Sequence, residues 1–231
     1  MSTVIFHDPD VQIPLGAAES LENFTAWARS DHFPLRGRID YIDGDIEIDM
    51  NAEELADHGG PKTHIAVEIT LRTVELDLGE VYISDARLKS VPGNLSAEPD
   101  ILVVTYESIR NGDVKLHPPS NNRPGKFTLV EGPVALVVEI VSDSSVFKDK
   151  EKLRTAYFEA GVAEYWLVDA REEALQFDLL TRDPESSQYV ERQPDENGFL
   201  RSDVLDAAFR LERSLNPAGY NRYRLIRRED G

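Results

Sequence analysis

Residues 137–153, VVEIVSDSSVFKDKEKL, place one carboxylate, Glu139, inside an apolar run and follow it with Lys148, Lys150 and Lys152. Burying an isolated ionised acid costs several kcal/mol unless a cation, a metal ion or hydrogen bonds compensate it. A second acid, Asp100, opens another strongly apolar stretch, PDILVV, directly after Glu98 and Pro99. If the two stretches form neighbouring strands, both acids can point into one cleft. Two carboxylates, with water filling the rest of the shell, suit Mg²⁺ or the similar Mn²⁺. Such an ion would polarise a phosphodiester and lower the pKa of a bound water, while a nearby lysine oriented that water or stabilised developing charge. Helical spacing after Glu139 puts Lys150 and Lys152 at the borders of the buried stripe and Lys148 farther round toward solvent. Lys150 or Lys152 is therefore the expected lysine. All of this requires the two acids to converge on one metal ion, and an arginine filling the gap would leave only the architecture.

The elements that must position these groups are short. AESLENFTAWARS has the Leu21, Phe24 and Trp27 spacing of an amphipathic helix. RGRIDYIDGDIEIDM alternates apolar residues around Asp43-Gly44, the composition of a tight hairpin turn. Pro61 near its start and Gly79 at its end punctuate a helix over PKTHIAVEITLRTVELDLG. EVYISD, ARLKSV, PDILVV and PVALVVEIVS are strands rich in β-branched residues. Unbroken apolar character predicts that the sheet is covered on both faces. Leu153, Ala156, Tyr157 and Ala160 give a helical stripe that ends at Gly161. AEYWLVDA and ALQFDLL then form an antiparallel pair, and FRLERSL closes the chain. The pattern is a mixed α/β domain on a central sheet flanked by helices, with residues 1–17 as an irregular arm and 18–231 as one domain.

Composition narrows the function classes. The apolar runs are too short to cross a bilayer, and the start MSTVIFHDPDVQIPLG lacks the pattern of a secretion signal. With no cysteine, disulfides and thiolate metal sites are excluded, and the cytoplasm is the expected compartment. The 25 Lys and Arg against 43 Asp and Glu give a net charge of −18. That field argues against a general, high-affinity DNA binder, although an enzyme could still meet phosphates in a metal-loaded cleft.

The order YIDGDI, ADHGG before a helix, EPDILVV, VVEIVSDSS, a lysine-rich helix start and AGVAEYWLVDA resembles the Uma-type family of "putative restriction endonucleases", within the PD-(D/E)XK nuclease superfamily, over residues 36–180. The resemblance implies a restriction-endonuclease-like sheet and Mg²⁺-dependent hydrolysis of DNA, with Asp100 and Glu139 as metal ligands. The superfamily usually places its lysine two residues after the second acid, where this chain has Val141. In this family the lysine comes from the following helix, where Lys152 fits best and Lys150 remains open.

Other residues have plainer roles. His58 beside Gly59-Gly60 could face the same cleft, but a surface or capping role is the simpler expectation, and Glu68 is expected on an exposed helix face. His58 and His64 lack the HExxH spacing, and SDSS lacks the G-x-S-x-G nucleophile turn. Three functions remain: a Mg²⁺-dependent endonuclease on DNA, a non-catalytic interaction module that keeps the fold, and, more remotely, a two-carboxylate glycosidase. Cutting two strands often calls for two sites, so a homodimer is expected.

Overall fold

The computed structural model describes residues 12–119, 123–183 and 185–229. The arm expected over residues 1–17 therefore falls largely outside the described residues, as do residues 120–122, 184 and 230–231.

Ser20 caps α1 (Leu21–Ala28) by accepting from the Asn23 amide, and the helix buries Leu21, Phe24 and Trp27. The expected hairpin follows as β1 (Arg38–Ile42) and β2 (Asp45–Asp49). Its turn residues Asp43 and Gly44 both take positive φ, the backbone that a two-residue turn between twisted strands demands. A π-helical turn (Leu55–Gly59) leads into α2 (Gly60–Glu75). Helix α2 stops four residues short of Gly79, which instead opens β3 (Gly79–Ile83). The next elements are β4 (Arg87–Ser90), β5 (Leu95–Ala97), β6 (Ile101–Thr105), α3 (Tyr106–Asn111), β7 (Lys115–His117), β8 (Leu129–Glu131) and β9 (Leu136–Ile140). A second π-helical turn (Lys148–Lys152) precedes α4 (Leu153–Glu159), which ends at Gly161 with φ of 80°. The chain finishes with β10 (Glu164–Asp169), β11 (Gln176–Thr181), β12 (Val190–Glu191), β13 (Leu200–Ser202), β14 (Ala207–Leu215) and β15 (Asn221–Arg228).

The described strands form three sheets, ordered β2-β1-β5-β4-β8-β7, β12-β11-β10-β9-β6-β3 and β13-β14-β15. The second is the central mixed sheet, in which β9 runs parallel to β10 and antiparallel to β6. Both of its faces are covered, as the apolar runs of β6 and β9 predict. Ile101, Val103, Leu136 and Val138 face one core with Ile65 and Ile69 of α2. Leu102, Val104 and Val137 face the other with Leu153 and Tyr157 of α4. Period-two alternation thus sends successive residues of one strand into two different cores. A third, smaller core holds α1 against Ile39 and Tyr41 of β1. No helix among the described residues is long and apolar enough to cross a membrane.

Candidate active site

The two strands that carry the acids are neighbours. Ile101 lies opposite Val138 and Leu102 opposite Val137, so alternation puts Asp100 and Glu139 on the α4 side of the sheet. Both are buried, at 0% and 1% exposure. Asp100 Oδ2 accepts from the Ile140 amide at 2.8 Å, which ties it to the strand of Glu139. The Tyr157 hydroxyl donates to Glu139 Oε1 at 2.7 Å.

The cation between them is Arg38, at the start of β1, where a shared metal ion was expected. Its Nη2 donates to Asp100 Oδ1 at 2.7 Å. Its Nη1 stops 3.7 Å from Glu139 Oε2, within ion-pair range but beyond a hydrogen bond. Glu139 Oε2 is consequently a buried oxygen with no hydrogen-bond partner. Asp100 also has His58 Nε2 at 3.5 Å and Lys62 Nζ at 3.7 Å. Burial pushes the Asp100 carboxyl up, yet Arg38, His58 and the Ile140 amide outweigh it and hold it well below the usual carboxylate range. Glu139 moves the other way: burial, then the charges of Asp100 and Asp149, raise it well above its ordinary value despite Arg38 and Lys148. The two acids are thus shifted in opposite directions, Asp100 toward its charged form and Glu139 toward its neutral one.

The lysines fall differently from the helical expectation. Residues 148–152 form a π-helical turn, whose wider i→i+5 winding invalidates the 3.6-residue spacing. Lys148, expected toward solvent, is buried, with its Nζ 3.3 Å from Asp40 Oδ2 and 3.7 Å from Asp149 Oδ1. Lys150 turns away to Asp169 at 2.8 Å. Lys152 binds Asp45 at 2.9 Å and Glu47 at 2.6 Å on the β2 side. The structure therefore brings Asp100 and Glu139 together and places Lys150 and Lys152 elsewhere. Burial lowers the Lys148 ammonium, but Asp40, Asp149 and Glu139 more than offset it and raise its pKa.

Several members of this cluster escaped the sequence reading. Asp40 accepts from the Glu98 amide at 3.0 Å, beside Asp100 in the chain. Asp149 accepts from the Ser145 hydroxyl, keeps Oδ1 buried without a hydrogen-bond partner, and is pushed up to about 6, first by burial. His58, for which a surface or capping role was the simpler expectation, is buried, with Nδ1 2.8 Å from Glu53 Oε1. Burial lowers its pKa, but Asp100 and Glu53 raise it beyond the ordinary histidine value. Glu68 lies 3.4 Å from Arg227, and His64 is exposed. Arg38, His58, Lys62 and Lys148 line a cleft of about 810 Å³ together with Ser142, Ser144, Ser145 and acids that include Asp49, Glu53 and Asp143, while Asp100 and Glu139 are buried and do not line it. Both π-helical turns thus contribute a basic side chain to one cleft, His58 from the first and Lys148 from the second.

Among the described residues, no three His, Cys, Asp or Glu side chains are grouped to hold a metal ion by themselves. Two hard carboxylates on adjacent strands, one with an unsatisfied oxygen, nevertheless fit the chemistry of Mg²⁺, which keeps several waters of its own. Arg38 fills that position, the outcome in which only the architecture was expected to survive, so a metal site here rests on the open Glu139 oxygen and not on the acid pair by itself.

A mixed central sheet covered by helices on both sides places the chain in the class of mixed α/β folds. The crystal structure of a "putative nuclease" from Anabaena variabilis shares it with a TM-score of 0.54 at 15% identity, over 80% of this chain and 90% of that one. The Uma2 family, described as "Putative restriction endonuclease", matches residues 21–214, and the chain belongs to it. No curated protein matches the chain.

Proposed function

We propose that the protein is a divalent-metal-dependent endonuclease that hydrolyses DNA phosphodiester bonds at the cleft over Asp100 and Glu139, with Mg²⁺ or Mn²⁺ as its ion. The observation that carries this is Glu139 Oε2, buried and unsatisfied beside a fully buried Asp100. A structural ion pair gains nothing from an orphaned oxygen, and apolar side chains would fill the same space at lower cost. Carboxylates with oppositely shifted pKa values beside a cleft are typical of catalytic sites. Membership of a family described as "Putative restriction endonuclease" supports DNA as the substrate.

Asp100 and Glu139 would hold the ion, which when bound supplies Lewis-acid activation of a phosphoryl oxygen and of water. The chain's own residues do the rest. Lys148 stays protonated, so it stabilises negative charge and does not abstract a proton. Of the three lysines it is the one that geometry favours, ahead of Lys152 and Lys150. Arg38, released from Asp100, can turn its planar fork to a phosphate at the cleft wall. Two such sites would serve two strands, which is the case for a homodimer.

Nicking of a supercoiled plasmid in Mg²⁺ or Mn²⁺ is the test. Wild-type protein is expected to nick it, and Asp100→Asn and Glu139→Gln to lose the activity. Equal nicking by all three would assign the activity to a contaminant.

The Arg38–Asp100 contact favours a second function, a non-catalytic interaction module in which the guanidinium permanently replaces the ion. Calorimetric binding of Mg²⁺ or Mn²⁺ that Asp100→Asn abolishes would exclude it. Absence of binding by both wild type and Arg38→Met would establish it.

A further inference from the structure

Residues 207–228 carry six arginines against a single acid, Glu212, in a chain whose net charge is −18. They form the β14–β15 hairpin, in which Glu212 lies opposite Arg224 and Ser214 opposite Arg222. Four of the six arginines are engaged. Arg213 donates to the carbonyls of Ala170, at 3.0 Å, and Glu172, at 2.9 Å. Arg227 binds Glu75 at 2.7 Å, Arg210 binds Glu212 at 2.5 Å and Arg228 binds Asp195 at 2.7 Å. Arg222 and Arg224 are exposed, and their side chains make no ion pair or hydrogen bond among the described residues. Two residues apart on one strand, they point to the same side, about 7 Å from each other. Tyr223 and Leu225 point to the opposite side and are buried in the core beneath α2.

The inner face of the same hairpin packs against the turn that carries a cleft residue. Asn221 Nδ2 and the Tyr223 hydroxyl donate to Asp57 Oδ1, at 3.1 and 2.7 Å. Asp57 immediately precedes His58, which lines the cleft. A hairpin that leaves two arginines unpaired on an acidic molecule, and that is anchored one residue from the cleft-lining His58, matches a polyanion extending away from that cleft. A two-stranded β-ribbon also has the dimensions that a DNA groove admits.

We propose that the outer face of β14–β15 docks the DNA duplex, with Arg222 and Arg224 each neutralising a backbone phosphate. This rests on the nuclease function proposed above and assigns the surface that holds its substrate.

The test is fluorescence anisotropy with the full chain and a short labelled duplex in EDTA, titrated between about 50 and 200 mM salt. Each phosphate contact contributes about 0.9 to the slope of log K against log salt, so Arg222→Ala/Arg224→Ala is expected to make the slope shallower by about 2. Circular dichroism checks that the variant is folded. An unchanged slope, or wild-type protein that does not bind the duplex, overturns the proposal. An equal change in Arg110→Ala/Lys115→Ala would reduce the effect to net charge and overturn it too. Cleavage is read separately: if Asp100→Asn nicks as fast as wild type, the nuclease function fails while the slope still reports on docking.

Discussion

Arg38 donates to Asp100 at 2.7 Å while remaining 3.7 Å from Glu139, so one guanidinium satisfies one acid of the pair and leaves the other with an open oxygen. Under the proposed function, the guanidinium and a divalent ion would compete for one place. Arg38→Met is expected to destabilise the fold by about 3 kcal/mol, the usual cost of removing one partner from a buried pair. Millimolar Mg²⁺ is expected to restore much of that loss and to raise the melting temperature of the variant more than that of wild type. Thermal melts with and without Mg²⁺ check both. A variant that melts identically in EDTA and Mg²⁺ would mean that the acids do not bind the ion.

The Asp149 carboxyl, pushed up to about 6, sets a pH dependence of definite sign. Between the ordinary aspartate value and about 6, the folded state binds more protons at Asp149 than the unfolded chain does. Stability contributed by this residue therefore falls as pH rises through that window and is level above it. Two units of displacement correspond to about 3 kcal/mol. Asp149→Asn is expected to remove this decline, so its stability relative to wild type should improve from pH 4 to pH 6. Asp100 has the opposite sign, because its depressed pKa contributes stability that is lost as the solution becomes strongly acidic. Urea titrations of both proteins across the window measure the difference, and parallel curves would contradict the assignment.

Among the three lysines, Lys148 is expected to matter most for cleavage. Lys148→Met should lower single-turnover nicking about a hundredfold or more, the range found for loss of one preorganised charge donor. Lys150→Ala and Lys152→Ala, whose ammonium groups bind Asp169 and the Asp45–Glu47 pair, should lose less than tenfold. Loss confined to Lys152→Ala would return the catalytic role to that residue.

That lysine assignment shows where sequence reasoning stops. Glu139 was legible because an acid between Val138 and Ile140 has no cheap resting place, and Asp100 because Pro99 and an apolar strand frame it. The Asp43-Gly44 turn and the stop at Gly161 follow from turn chemistry that is local in the chain, whereas the pairing of β6 with β9, across about 35 residues, entered only as a condition. The π-helical turns are not local in this sense: nothing in KDKEK announces a wider winding, and the shift it causes carries Lys148 inward. Arg38 and Asp40 were hidden for a related reason. Alternation in RGRIDYI marks Ile39 and Tyr41 as the buried face, and the polar face then reads as solvent-facing. The strand is in fact covered on both sides, so Asp40 is only 2% exposed. The chain does show a hairpin whose alternate positions are charged at Arg38 and Asp40 on one strand and at Asp45, Glu47 and Asp49 on the other.

Position of the Asp100 carboxylate depends finally on β3, whose continuation Ser84 donates its amide to the Asp100 carbonyl at 3.1 Å. Gly79 begins that strand opposite Thr105. A Cβ on Gly79 would collide with the Val104 carbonyl oxygen and the Thr105 Cα, both backbone atoms that cannot turn aside. Gly79→Ala must therefore push β3 away from β6. The expected loss is about 2 kcal/mol, in the range of overpacking changes, and a fall in melting temperature of about 4–8 °C for a chain of this length. Gly16→Ala is the control, since the nearest atoms to its Cβ would lie 3.8 Å away. Because the collision is at the far end of β3 from Asp100, a Gly79→Ala protein that is destabilised yet still nicks DNA would show that the acid is held by Ile140 and Arg38 alone. Joint loss of stability and cleavage would assign β3 a part in placing it.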